Sequence, residues 1–155
     1  MKYWLAVLVV LVAGGFGYFF WHEYKISHQN DQFVEFEKRY KIEMTADVYG
    51  GKTPQETLDL FIAALDKGDV SLAAKYFMLD DKLSREKWVK SLNELKNKGL
   101  LDDMAKDLKG AKPDLNERID ENDYKLAVKD KYGNVLNLIS IRLNTYSQVW
   151  KIEDL

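Results

Sequence analysis

Cysteine is absent from this 155-residue chain, and proline and histidine occur only twice each. Without thiols there is no disulfide staple, no cysteine nucleophile and no lipid-modified cysteine. The histidines are His22 and His28, so the chain beyond them carries no imidazole. That excludes Ser-His-Asp and Cys-His catalytic systems, and ordinary zinc sites, from everything that follows. A glycine-rich phosphate loop and a calcium loop with its central glycine are also missing. Charge of one sign is not in excess: 23 Lys and Arg face 25 Asp and Glu, a formal net charge of -2, with the two signs interspersed. A nucleic-acid surface needs a basic stripe to displace counterions from phosphate, so no nucleic-acid partner is expected.

What the chain does have is one long apolar run. Residues 3–21 carry no charge and are rich in Leu, Val and Phe. A helix rises about 1.5 Å per residue, and roughly 20 apolar residues cross a hydrocarbon core of about 30 Å, so this segment is long enough to span a bilayer. Tyr3 and Trp4 at one end and Tyr18, Trp21 and Tyr24 at the other fit the aromatic belts at headgroup level. Lys2 together with the small residues Ala13, Gly14 and Gly15 offers an alternative, a cleaved signal peptide and a secreted product. The aromatic cluster after those small residues favours an uncleaved anchor over residues 1–25. Lys2 precedes the span and Glu23 accompanies Lys25 after it, which places the larger part of the chain outside the cytoplasm as a single-pass cell-membrane protein.

Residues 26–52 read as a stalk or linker. Phe33, Phe36 and Tyr40 recur at helical spacing, whereas Tyr40, Ile42, Met44, Ala46 and Val48 alternate in a strand-like period of two before Gly50 and Gly51 break the pattern. From Thr53 the signals sharpen. Thr53-Pro54-Gln55-Glu56 predicts a capping box with proline at the first helical position. Leu58, Phe61, Ile62 and Leu65 then give one apolar helical face, and Gly68 a stop. A second helix follows Asp69, a third starts at Ser84 with a Leu83–Trp88 staple, and a fourth, shorter one uses Leu101, Met104, Ala105 and Leu108.

After Pro113 the period changes to two. Tyr124 to Val128 predicts a strand with one wet face, Val135 to Leu143 a central strand, and Val149 to Glu153 a last one; Leu115 to Ile119 is a further strand candidate. Helices first and an antiparallel meander second predict an α+β domain over residues 53–155, with three to four helices packed on a curved antiparallel sheet.

The run from Thr53 to Phe77 and the closing Val149-Trp150-Lys151-Ile152 resemble the nuclear transport factor 2-like superfamily, with its cystatin-like cone, and most closely its small bacterial lumazine-binding-like domains of unknown function. The resemblance implies a pocket between sheet and helices, where members of the superfamily bind ligands, catalyse or dimerise. It carries over an architecture and no catalytic position. Asp80 and Asp81 lie where enzymatic branches place a base, but a solvated turn capping the next helix explains them. Asp102-Asp103 and Asp120-Glu121 read in the same way, as helix starts and turns. Should any aromatic residue line a ligand cavity, Tyr76, Trp88 and Tyr124 are the candidates, since each joins an apolar body to a polar handle. No cofactor or metal is expected. The functional expectation is a membrane-anchored extracytoplasmic binding or assembly module, a cell-envelope component docking a protein partner or a second copy through its sheet. The alternative is a pocket enzyme of isomerase or hydrolase type using carboxylates and tyrosines.

Overall fold

The computed structural model describes Trp21, residues 32–114 and residues 121–155. Apart from Trp21, the apolar run lies outside the described residues, as do Tyr24, both histidines, the strand expected at Leu115 to Ile119, and Asp120. Among the described residues, no helix is long and apolar enough to cross a membrane. The described residues 32–114 and 121–155 contain five helices: α1 (described over residues 32–46), α2 (Pro54–Asp66), α3 (Val70–Lys75), α4 (Glu86–Asn97) and α5 (Leu101–Leu108). They precede four strands, β1 (Lys112–Pro113), β2 (Asp123–Lys129), β3 (Val135–Asn144) and β4 (Val149–Asp154), which form one antiparallel sheet in the order β1-β2-β3-β4. The architecture is α+β, with helices packed on an antiparallel meander.

Local chemistry explains most boundaries. The Thr53 side chain accepts from the Glu56 amide at 3.1 Å, and Pro54 opens α2 where its missing N–H leaves nothing unsatisfied. The Glu56 carboxylate reaches back one residue further than a capping box requires, accepting from the Lys52 amide at 2.6 Å. Asp69 caps α3 by accepting from Leu72 at 2.9 Å. The third helix of the sequence reading starts at Glu86 and not at Ser84, because Leu83 turns into the left-handed region at φ 57° and Ser84 Oγ accepts from the Glu86 amide.

Between helices and sheet lies an apolar layer. Leu58, Phe61, Leu65, Phe77, Leu126, Ile139, Ile141 and Ile152 are each at most 1 % exposed. Phe61 meets Phe77 edge to face at 5.3 Å, and Trp88 stacks on Phe77 at 3.9 Å. Each such side chain stabilises the fold by roughly 1.5–3 kcal/mol relative to exposure.

Two expectations are corrected. The period-two pattern over residues 40–48 is not a strand, since the helix runs to residue 46 and the Asp47 amide still bonds the Glu43 carbonyl at 3.0 Å. Alternation misled because Met44 alone of the three is buried, while Ile42 and Val48 are 66 % and 65 % exposed. The helix end and the residues after it, 42–52, lie within the compact unit Ile42–Leu155. Secondly, β3 is central only in its second half. β4 pairs with it from Ser140 to Asn144, whereas Val135 and Leu136, at the far end, are 50 % and 68 % exposed. Bulges at Val128/Lys129 and Ser140/Ile141 interrupt the two ladders.

Candidate functional site

A strand of alternating burial ordinarily keeps lysine out, but β4 encloses one completely. Lys151 is 0 % exposed, next to the core residue Ile152. Its ammonium has three protons and all are used: Nζ donates to Asp47 Oδ1 at 2.8 Å, to the Tyr49 carbonyl at 2.6 Å and to the Lys75 carbonyl at 2.6 Å. The other carboxylate oxygen of Asp47, Oδ2, accepts from Arg85 Nη2, and Arg85 Nε donates to the Phe77 carbonyl at 2.7 Å. Two cations thus share one carboxylate that is itself 6 % exposed. Burial pulls the Lys151 ammonium down from 10.5 to about 8 and Arg85 adds to this, whereas Asp47 opposes it.

The elements that bring these groups together come from four parts of the chain. Asp47 follows α1, Lys75 ends α3, Arg85 is the residue before α4 and Lys151 sits on β4. The segment from Asp47 to Gly51 is held against β4 by further bonds. Gly51 bridges Trp150, whose amide donates to the Gly51 carbonyl at 2.9 Å. The fully buried Thr57 accepts from the Gly51 amide at 2.9 Å and donates to the Trp150 carbonyl at 2.9 Å. Gly50 and Gly51 are needed for this approach: a Cβ on Gly50 would collide with the Trp150 carbonyl oxygen, and one on Gly51 would lie 2.6 Å from Glu56 Cβ. Asn144 completes the fastening by donating to the Met44 carbonyl at 2.8 Å.

Beside the charge cluster opens a cleft of about 160 Å³ lined by Glu43, Ala46, Asp47, Tyr49, Lys75, Leu79 and Arg85. Lys75 Nζ contacts the Tyr49 hydroxyl at 3.1 Å and lies 4.3 Å from the centre of its ring. A second cleft, of about 230 Å³, is lined by Leu65, Gly68, Lys96, Gly99, Leu101 and Asp102. No strand residue lines either cleft.

The three aromatic candidates sit elsewhere. Tyr76 is buried at the end of α3, with its phenol pushed up by burial and by Tyr49 and Asp69. Trp88 stacks on Phe77, and Tyr124 meets Trp150 edge to face at 6.5 Å. They pack against the core, and neither cleft is lined by any of them. Asp80 makes a turn, accepting from the Lys82 and Ser84 amides at 2.9 and 2.8 Å. Among the described residues no group of acidic and imidazole side chains is placed to hold a metal. Asp47, Arg85 and Lys151 were not legible in the sequence. They lie far apart in the sequence, and only the chain's long-range path makes them neighbours.

No family model, no curated protein and no solved structure matches this chain.

Proposed function

We propose that this chain is a single-span membrane-anchored module, exposed outside the cytoplasm, that works by binding or assembly and not by turnover. The apolar run of residues 3–21 supports the anchor. The observation that carries the rest is the use to which the fold puts the buried charge cluster of Asp47, Arg85 and Lys151. Lys151 and Asp47 are buried and of opposite charge, but Lys151 is fully enclosed with every ammonium proton donated, and each Asp47 oxygen already accepts from a cation. A base or nucleophile needs a free lone pair or an exchangeable proton within reach of a substrate. The cluster instead locks residues 47–51 onto the domain. Membership of the nuclear transport factor 2-like superfamily belongs to the same proposal, supported by the order of helices before an antiparallel meander.

The test combines intact mass of the full-length protein from bacterial membranes with protease access in spheroplasts. An unshortened mass and a domain degraded from outside are expected. A mature chain that has lost its first residues and floats free of the membrane would replace the anchor with a secreted product, and protection of the domain in intact spheroplasts would reverse its orientation.

A further inference from the structure

The cleft next to the buried cluster has the chemistry of a ligand site. Its polar wall contains two cations with donors to spare. Arg85, whose side chain is 18 % exposed, spends Nε on the Phe77 carbonyl and Nη2 on Asp47, while Nη1 donates to no acceptor among the described residues. Lys75 donates to the Tyr49 hydroxyl alone, leaving two ammonium protons. Asp47 is committed to other donors, accepting from Arg85 Nη2 at one oxygen and from Lys151 at the other. The remaining wall is apolar, formed by Ala46, Leu79 and the ring of Tyr49. Glu43 adds a negative charge to the lining.

We infer that this cleft binds a small organic monocarboxylate, its carboxylate held between Lys75 and Arg85 and its short apolar tail against Leu79 and Tyr49. An arginine edge and an ammonium match a carboxylate in both charge and donor geometry. Glu43 and Asp47 disfavour a dianion such as phosphate, and about 160 Å³ admits only a compact molecule. Four lining residues come from residues 43–49 and three are Lys75, Leu79 and Arg85, so an occupant braces the segment entering the fold against the helices. The inference rests on reading the protein as a binding module, but not on its anchor or orientation.

The probe is butyrate, titrated into the full chain in mild detergent and followed by amide chemical shifts and thermal midpoint, with sodium chloride matching ionic strength. A Kd on the order of 1 mM is expected for so few atoms. Lys75→Gln removes a charge-assisted bond at an exposed side chain and weakens binding about tenfold. Glu43→Gln removes repulsion and tightens it about threefold. These opposite directions are what a merely structural effect of the substitutions would not produce. Equal responses to butyrate and inorganic phosphate, identical affinities in the wild type and Lys75→Gln, or no saturable shift by about 10 mM would each overturn the inference. None of them bears on the spheroplast result, so the two readings fail separately.

Discussion

The protein has two interiors built on opposite principles. The layer between helices and sheet is apolar and redundant: Leu58, Phe61, Phe77, Ile139, Ile141 and Ile152 share the burial, and any one methylene is a small part of the whole. The interior around Asp47 is polar and irreplaceable, since one carboxylate answers two cations. Apolar packing degrades gradually when trimmed. A buried charge network fails abruptly, because removing one partner strands the others in a medium of low polarity.

Asp47→Ala is the sharpest way to break that contrast. It leaves Arg85 and Lys151 facing one another without a counter-charge, and a loss of about 3–5 kcal/mol in chemical denaturation is expected. Hydrogen exchange should show residues 42–52 opening first. A loss below about 1 kcal/mol would mean that water reaches the cluster and that it is no interior at all. Gly50→Ala comes next. The new methyl meets the Trp150 carbonyl, and the backbone shift needed to relieve it costs about 2 kcal/mol. Faster proteolysis between Met44 and Lys52 is the accompanying signature, and unchanged cleavage there would argue against the close approach. On the apolar side Ile152→Val removes one methyl from a fully buried side chain, and about 1 kcal/mol is expected, with exchange in residues 42–52 unaltered.

A pH dependence is the effect most specific to the polar side. Lys151 in the folded chain releases its proton near 8, whereas the unfolded chain holds it to 10.5. Below the lower value both states are protonated and the stability difference is constant. Between the two values the unfolded state binds more protons, so this group makes stability rise with pH. The stability of the wild type relative to Lys151→Met should therefore climb across that window. A flat difference would show that Asp47 holds the ammonium at its ordinary affinity, and a falling one that it holds it more tightly still.

Sequence reading succeeded where a signal is local. Thr53 and Pro54 announced α2, Asp69 announced α3, and the strands at Tyr124, Val135 and Val149 were found close to their observed bounds. It went astray where burial is set at long range. Ile42, Met44, Ala46 and Val48 alternate, but a helix takes up all but the last of them and only one of the large three is covered. Val135 and Leu136 look like the start of a central strand, but β4 ends its pairing at Ser140. The aromatic candidates Tyr76, Trp88 and Tyr124 were chosen for their chemistry, which says nothing about whether a neighbour fills the space beside them. The cleft beside the charge cluster is lined by Glu43, Tyr49, Lys75 and Arg85 among others, from segments that share no pattern.

By itself the sequence determined the fold class, the starts of α2 and α3, the lack of imidazole and thiol side chains beyond His28, and one uncharged run over residues 3–21. These depend on residue type and on spacing within a few turns, which act wherever the chain goes. Only the tertiary structure decided that Lys151 is buried, that Asp47 serves two cations, and that residues 42–52 belong to the domain. A charge reveals its partner only when the path of the chain brings the two within a few ångströms, because the Coulomb energy that fixes them depends on distance in space and not along the sequence.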